Sequence, residues 1–311
     1  MATSRSRRPP VAVVVSALVV LVVTAAAIRP QLFTGLDPNA TDPLASFHPP
    51  GAGHPFGTDQ LGRDLFARAV HGARHSLRIA AGATLVALLA AVPIGVLAAL
   101  GGRLADLVVT RVLDVLLSFP ALLLALVVVT MLGRGELSLL VAIGLADMPG
   151  YARLLRSRLL VVRRTGYVEA ATGLGVGPWT TLWRHILPNA IGPLLVMATL
   201  GFGVAVIFAS GLSFLGLGTQ PPTPEWGALL AEGRSTLAIA WWAGVFPGLL
   251  ITVTAVTVTV LGRALRARFG VGAVHRIRSG AAAPPPGPSP PPAVQNGRAH
   301  DRTPVTRSTI S

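Results

Sequence analysis

The chain has 311 residues, 52% of them apolar and only 12% charged, with a formal charge of +14 at pH 7. Several apolar runs approach or exceed the roughly 20 residues needed to cross a hydrocarbon core about 30 Å thick, which excludes an ordinary water-soluble domain. It contains no cysteine, which excludes disulfides and thiolate chemistry, and no lysine, which excludes a phosphate-binding loop in this polypeptide.

In chain order, residues 1–10 form a basic N-terminus with Arg5, Arg7 and Arg8, and Val11 to Ile28 is a first apolar run of marginal spanning length. It reads either as an anchor with a cytoplasmic N-terminus or as a cleaved signal segment, with Thr24 to Ala27 as small residues near a cut. Residues 29–75 are rich in Pro, Gly, Asp and His and are expected to form an external loop. Within it, Asp59, Arg63, Asp64 and Arg68 predict a short amphipathic helix with local ion pairs. His71 and His75 share a helical face, but no carboxylate or cysteine nearby in sequence completes a metal set, so surface histidines are expected.

Ser76 to Leu100 predicts a second span interrupted by Pro93 and Gly95, followed by an inner turn at Gly101 to Arg103. Leu107 to Met131 predicts a third span. It carries Asp114, which is either a functional acid or the partner of Arg111 three residues earlier. The fourth span begins at Leu137 and contains Asp147, which either lines a pathway for a cationic cargo group or reaches Arg153 or a partner subunit. Arg153, Arg156, Arg158, Arg163 and Arg164 then mark the inner face. The positive charge thus gathers at the ends of apolar runs and in the tail, with few aromatics interleaved, so it expresses membrane topology and not nucleic-acid binding.

Tyr167 to Leu195 is the one polar-to-amphipathic segment between apolar runs. Residues 167–174 are helix-compatible. Gly173, Gly175 and Gly177 with Pro178 then force a turn, and a second amphipathic piece covers Trp179 to Ile186. No strand precedes the glycines and their spacing is wrong for a dinucleotide loop. Glu169-Ala170-Ala171, three residues, Gly175, nine residues, then His185-Ile186-Leu187-Pro188 resembles the EAA loop of permease subunits of bacterial ATP-binding-cassette importers. His185 stands where the general form has Ile, a variant associated with the dipeptide, oligopeptide and nickel subfamily. The segments beginning at His54, Pro149 and Gly211 agree, and the resemblance extends over about 54–270.

Beyond the elbow, Ile191 to about Phe208 predicts a fifth span with Gly201 and Gly203 for close helix approach. The prolines at 221, 222 and 224 and Trp226 predict an interfacial loop, and Thr236 to Leu261 predicts a sixth span kinked at Pro247-Gly248. Arg263, Arg266 and Arg268 return the chain inside. Residues 271–311, rich in Pro, Ser, Ala and Arg, predict a disordered cytoplasmic tail.

The resemblance implies an all-α polytopic protein with six transmembrane helices in the type I importer permease fold, a retained first span, and a five-helix core over 76–270 with its EAA loop at about 163–190. It implies that Glu169, Ala170, Ala171, Gly173, Gly175, His185, Leu187 and Pro188 couple to an ATPase. Asp147 is a departure, since the family often has an aromatic nearby. The implied partners are a homologous second permease, two ATPase subunits that bind ATP and Mg, an external substrate-binding protein and the lipid bilayer. No cofactor or metal belongs to this chain, no bond is made or broken by it, and its place is the inner membrane with both termini cytoplasmic. Dipeptides or oligopeptides lead as cargo over nickel chelates or glutathione. A membrane-embedded enzyme would need a metal motif or an acid or histidine cluster that the chain lacks, and a channel or exporter would work without ATPases.

Overall fold

A computed structural model describes residues 10–269; the basic N-terminal segment and the predicted tail lie outside the described residues. Ten helices make up nearly all of it, and the only β pairing among the described residues is an isolated bridge between Thr58 and Asp64. Helix α1 is Val11–Ile28, α2 Leu65–Leu100, α3 Gly102–Ser118, α4 Ala121–Leu132 and α5 Glu136–Arg163. Helix α6 is Gly166–Gly173, α7 Pro178–Thr181, α8 Leu187–Phe214, α9 Trp226–Arg234 and α10 Trp242–Phe269. One π turn at Leu182–Ile186 joins α7 to α8, giving an unbroken helix of 37 residues from Pro178 to Phe214.

Five helices are long and apolar enough to cross a membrane, and the bent pair α3 and α4 makes a sixth span if counted as one. The predicted continuous span from Leu107 to Met131 is therefore corrected: α3 and α4 meet at 96°. The reason is local. Pro120 lacks an N–H and forces Phe119 out of the helical region, to φ −88° and ψ 141°.

Helix α3 has an inverted amphipathic character. Asp106, Thr110 and Asp114 form a polar stripe toward α5, where Asp106 receives both Nε and Nη2 of Arg156 at 2.5 and 2.8 Å and Asp114 pairs with Arg153. Its apolar side, including Leu104, Leu107, Val108, Val112 and Val115, is exposed. These two ion pairs hold α3 against α5 at both ends of the stripe. Asp114 does not pair with Arg111 because the α5 arginine meets it there.

Small residues let the spans approach. A side chain at Gly144 of α5 would begin 2.7 Å from the Ala83 carbonyl of α2, and one at Gly203 of α8 would meet Thr259 Oγ1 of α10 at 2.8 Å. Alanines 80, 83, 87 and 91 of α2 are buried, as are Leu139, Ile143, Leu155 and Leu159 of α5. Pro93 and Gly95 sit inside α2 without interrupting it.

The end of the molecule that carries residues 29–64 and 215–241 departs from expectation in three places. The predicted helix from Asp59 to Arg68 is a tight turn up to Asp64: Gly62 has φ +71°, the Asp59 carboxylate accepts from the Leu61 and Arg63 amides, and α2 starts only after Asp64 caps it. The second span thus begins at Leu65, ahead of Ser76. Trp226 is not interfacial; it is 1% exposed and its Nε1 donates to the Ala69 carbonyl at 2.8 Å. The last span starts at Trp242, not Thr236, because the chain turns after α9, with the Ile239 and Ala240 amides both donating to the Thr236 carbonyl.

Candidate functional site

The elbow between α5 and α8 is built from its anchors outward. Val168, Leu182, Ile186 and Leu187 are buried in one apolar cluster with Leu155 and Leu159, so the inner end of α5 and the underside of the elbow form a single packed body. Only Arg164 and Thr165 separate α5 from α6. Glu169 occupies the first turn of α6, where a carboxylate interacts favourably with the helix N-terminus.

The turn closes by backbone bonds: Leu174 N donates to Ala170 O at 3.0 Å, Gly175 N to Thr172 O at 3.0 Å and Val176 N to Ala171 O at 3.1 Å. Gly175 has φ +81°, a conformation that costs a residue with a Cβ about 1–2 kcal/mol. Pro178 then opens α7, where its missing N–H is harmless. The His185 carbonyl accepts from Tyr167 Oη at 3.3 Å and Asn189 Nδ2 at 2.7 Å, tying α6 to the start of α8.

The structure gathers the predicted elbow residues into one segment with divided roles. Glu169, Ala170, Gly173, Gly175 and Pro188 are exposed, Ala171 and His185 are half-buried, and Leu187 is buried and acts from beneath. Leu174 at 86%, Trp179 at 70% and Trp183 at 52% exposure stand on the outer side of the elbow, with the two indole rings edge to face at 5.7 Å. These three are the large apolar side chains that the elbow leaves most exposed among the described residues. Sequence reasoning missed these three. No periodicity could have found them, because 179, 182, 183 and 186 have the i, i+3, i+4, i+7 spacing of a single helical face, and only the structure buries Leu182 and Ile186 while leaving both tryptophans exposed.

The two predicted acids lie elsewhere. Asp114 is at the inner end of α5 with Arg153, and Asp147 is midway along α5, half-buried, with no hydrogen-bonding or ion-pairing side chain among the described residues. His75 Nδ1 contacts Glu136 Oε2 at 2.9 Å and His71 Nδ1 the Ala67 carbonyl at 2.9 Å, and no group of three or more metal-ligating side chains occurs among the described residues. At the opposite end of the molecule from the elbow, Arg63 and Arg68 share Glu232 of α9, at 2.9 and 3.2 Å, and Asp59 lies against Arg63 at 2.6 Å. Glu225 is fully buried at the start of α9, accepting from the Gly227 and Ala228 amides and from Ser76 Oγ. Neither glutamate was singled out from sequence, because both act on residues more than 140 positions away.

Residues 91–271 match the family described as binding-protein-dependent transport system inner membrane component. A putative peptide transport system permease protein of Brucella suis biovar 1 is 41% identical over 80% of this chain and 83% of its own length. The dipeptide transport system permease protein DppC of Alkalihalophilus pseudofirmus is 39% identical, with 77% and 79% covered. The glutathione transport system permease protein GsiD of Pectobacterium atrosepticum is 41% identical, with 70% and 72% covered. Among solved structures, an amino acid ABC transporter gives a TM-score of 0.52 at 17% identity, covering 65% of this chain and 94% of that one. An inward-facing MetNI methionine ABC transporter also gives 0.52, at 20% identity, with 64% and 95% covered. At those identities the likeness concerns the fold.

Proposed function

The chain belongs to the family of binding-protein-dependent transport system inner membrane components, and on that premise we propose that it forms half of a peptide path and is driven through its elbow. It is a multi-pass membrane permease subunit of an ATP-driven importer. The chemistry of ATP and Mg belongs to partner subunits, since a chain without lysine has no phosphate-binding loop of its own. We place Arg153 to Arg164 and the elbow inside, and residues 29–64 and 215–241 outside, facing a substrate-binding protein. The other half of the path is a homologous second permease.

The single observation that carries the coupling is the rigid seat of the elbow: its exposed Leu174, Trp179 and Trp183 ride on Val168, Leu182 and Ile186, which are packed against α5. A push on the exposed side is therefore transmitted to two spans, α5 and α8, as one body. ATP shifts the permease between states only insofar as the ATPase pair binds the elbow better in one of them. Co-purification tests this. The wild-type chain should bring down two ATP-binding subunits, whereas Trp179→Asp with Leu174→Asp should lose them while the protein stays folded in detergent. Retention of both ATPases by that variant refutes docking at the elbow.

Peptides are the favoured cargo because two of the relatives named above carry peptide or dipeptide transport in their names. Glutathione, itself a peptide, is the second reading, motivated by the third. The ligand of the binding protein that co-purifies with this chain separates the two.

A further inference from the structure

Asp147 lies eleven residues into α5 from Glu136, about 16 Å below the external end of that helix and so near the middle of a hydrocarbon core about 30 Å thick. One turn on, the Tyr151 side chain is 3% exposed, its hydroxyl lies against Gly201 of α8, and it has no hydrogen-bond partner among the described residues. Tyr151 is thus committed to the contact between α5 and α8, and Asp147 is the charged group left without a partner among the described residues. The cations nearest along the helix are committed elsewhere, Arg153 to Asp114 and Arg156 to Asp106. Asp147 is only half-buried, and a side chain begun at the neighbouring Gly150 would meet Met197 Cε at 3.9 Å, an ordinary packing contact.

A carboxylate at the centre of a span is costly unless something neutralises it. Nothing in the described chain does so. We infer that the Asp147 carboxylate receives the protonated amino group of the cargo as it passes through this subunit's half of the path. The inference rests on the permease reading above and deepens it, since it assigns the cargo a free amino group. A single carboxylate makes a weak site, which a path that must also release its cargo requires.

The test uses the complete complex in proteoliposomes. Because this chain has no cysteine, Asp147→Cys places a single thiol on it. Uptake of a dipeptide with a free amino group should fall about tenfold, a binding loss typical of one lost charge contact. Labelling that thiol with a sulfonate-bearing methanethiosulfonate should restore most of the uptake, an ammonium-bearing reagent should not, and saturating dipeptide should slow both labelling reactions. Unchanged uptake in Asp147→Cys, or equal effects of the two reagents, overturns the proposal. Loss of the second permease from the variant complex also overturns it, by making Asp147 an interface residue. Failure of the permease reading shows separately, as a wild-type complex that takes up no dipeptide.

Discussion

Single residues hold this structure where the backbone or a charge has no alternative. Glu225 is the clearest case: a fully buried acid whose pKa is pushed up by burial, against the opposing pull of donors from Gly227, Ala228 and Ser76. An acid whose pKa is raised on folding binds its proton more tightly in the folded state. Its contribution to stability is complete below the unfolded pKa of about 4.3 and is lost as pH rises through the folded value. Thermal unfolding in detergent should therefore show Tm falling as pH rises above about 4.3, with a smaller slope in Glu225→Gln. Equal slopes in the two proteins exclude this residue as the titrating group.

Helices impose the next level of constraint, and α3 shows how a membrane changes the usual rule. In water its apolar side would turn inward; here that side is exposed and the stripe Asp106, Thr110 and Asp114 turns toward the arginines of α5. The lipid is the apolar solvent, so polar groups seek protein. Pro120 sets the corner, and the ion pairs fix where α3 lies after it. Reversing Arg156→Asp would set three acids around one site and should lower Tm by a few degrees, about 1 kcal/mol for a partly exposed pair. The double exchange Arg156→Asp with Asp106→Arg should recover at least half of that loss. Absence of recovery would show that the two side chains do not act as a pair.

Across the whole molecule, the external cap is joined to the spans by charge and aromatic contacts that join distant parts of the chain. Arg68 is wholly buried and Arg63 nearly so, both on Glu232, while Trp242 Nε1 donates to the Thr58 carbonyl at 3.1 Å and Phe56 stacks on Phe246 at 4.1 Å. Removing the shared negative charge leaves Asp59 alone to balance two buried guanidiniums. Glu232→Gln should cost about 3 kcal/mol, read as a lower Tm together with faster proteolysis between residues 43 and 60. A variant as stable and as resistant as the wild type would mean that the aromatic contacts alone hold the cap.

The sequence by itself determined the number and order of apolar runs, the elbow and its glycine turn, and the basic inner ends of the helices. Each depends on composition or on neighbours within a turn or two, as Gly175 with Pro178 and Arg153 with Arg164 do. The partner of Asp114, the burial of Trp226 and the direction in which Trp179 and Trp183 face were decided only by tertiary structure. The reason is that an apolar side chain in a membrane protein has two good destinations, lipid and core, and hydrophobicity alone does not distinguish them. Long-range contacts do: the Ala69 carbonyl claims the Trp226 indole, Arg153 claims Asp114, and the inner core takes Leu182 and Ile186, leaving the two tryptophans outside.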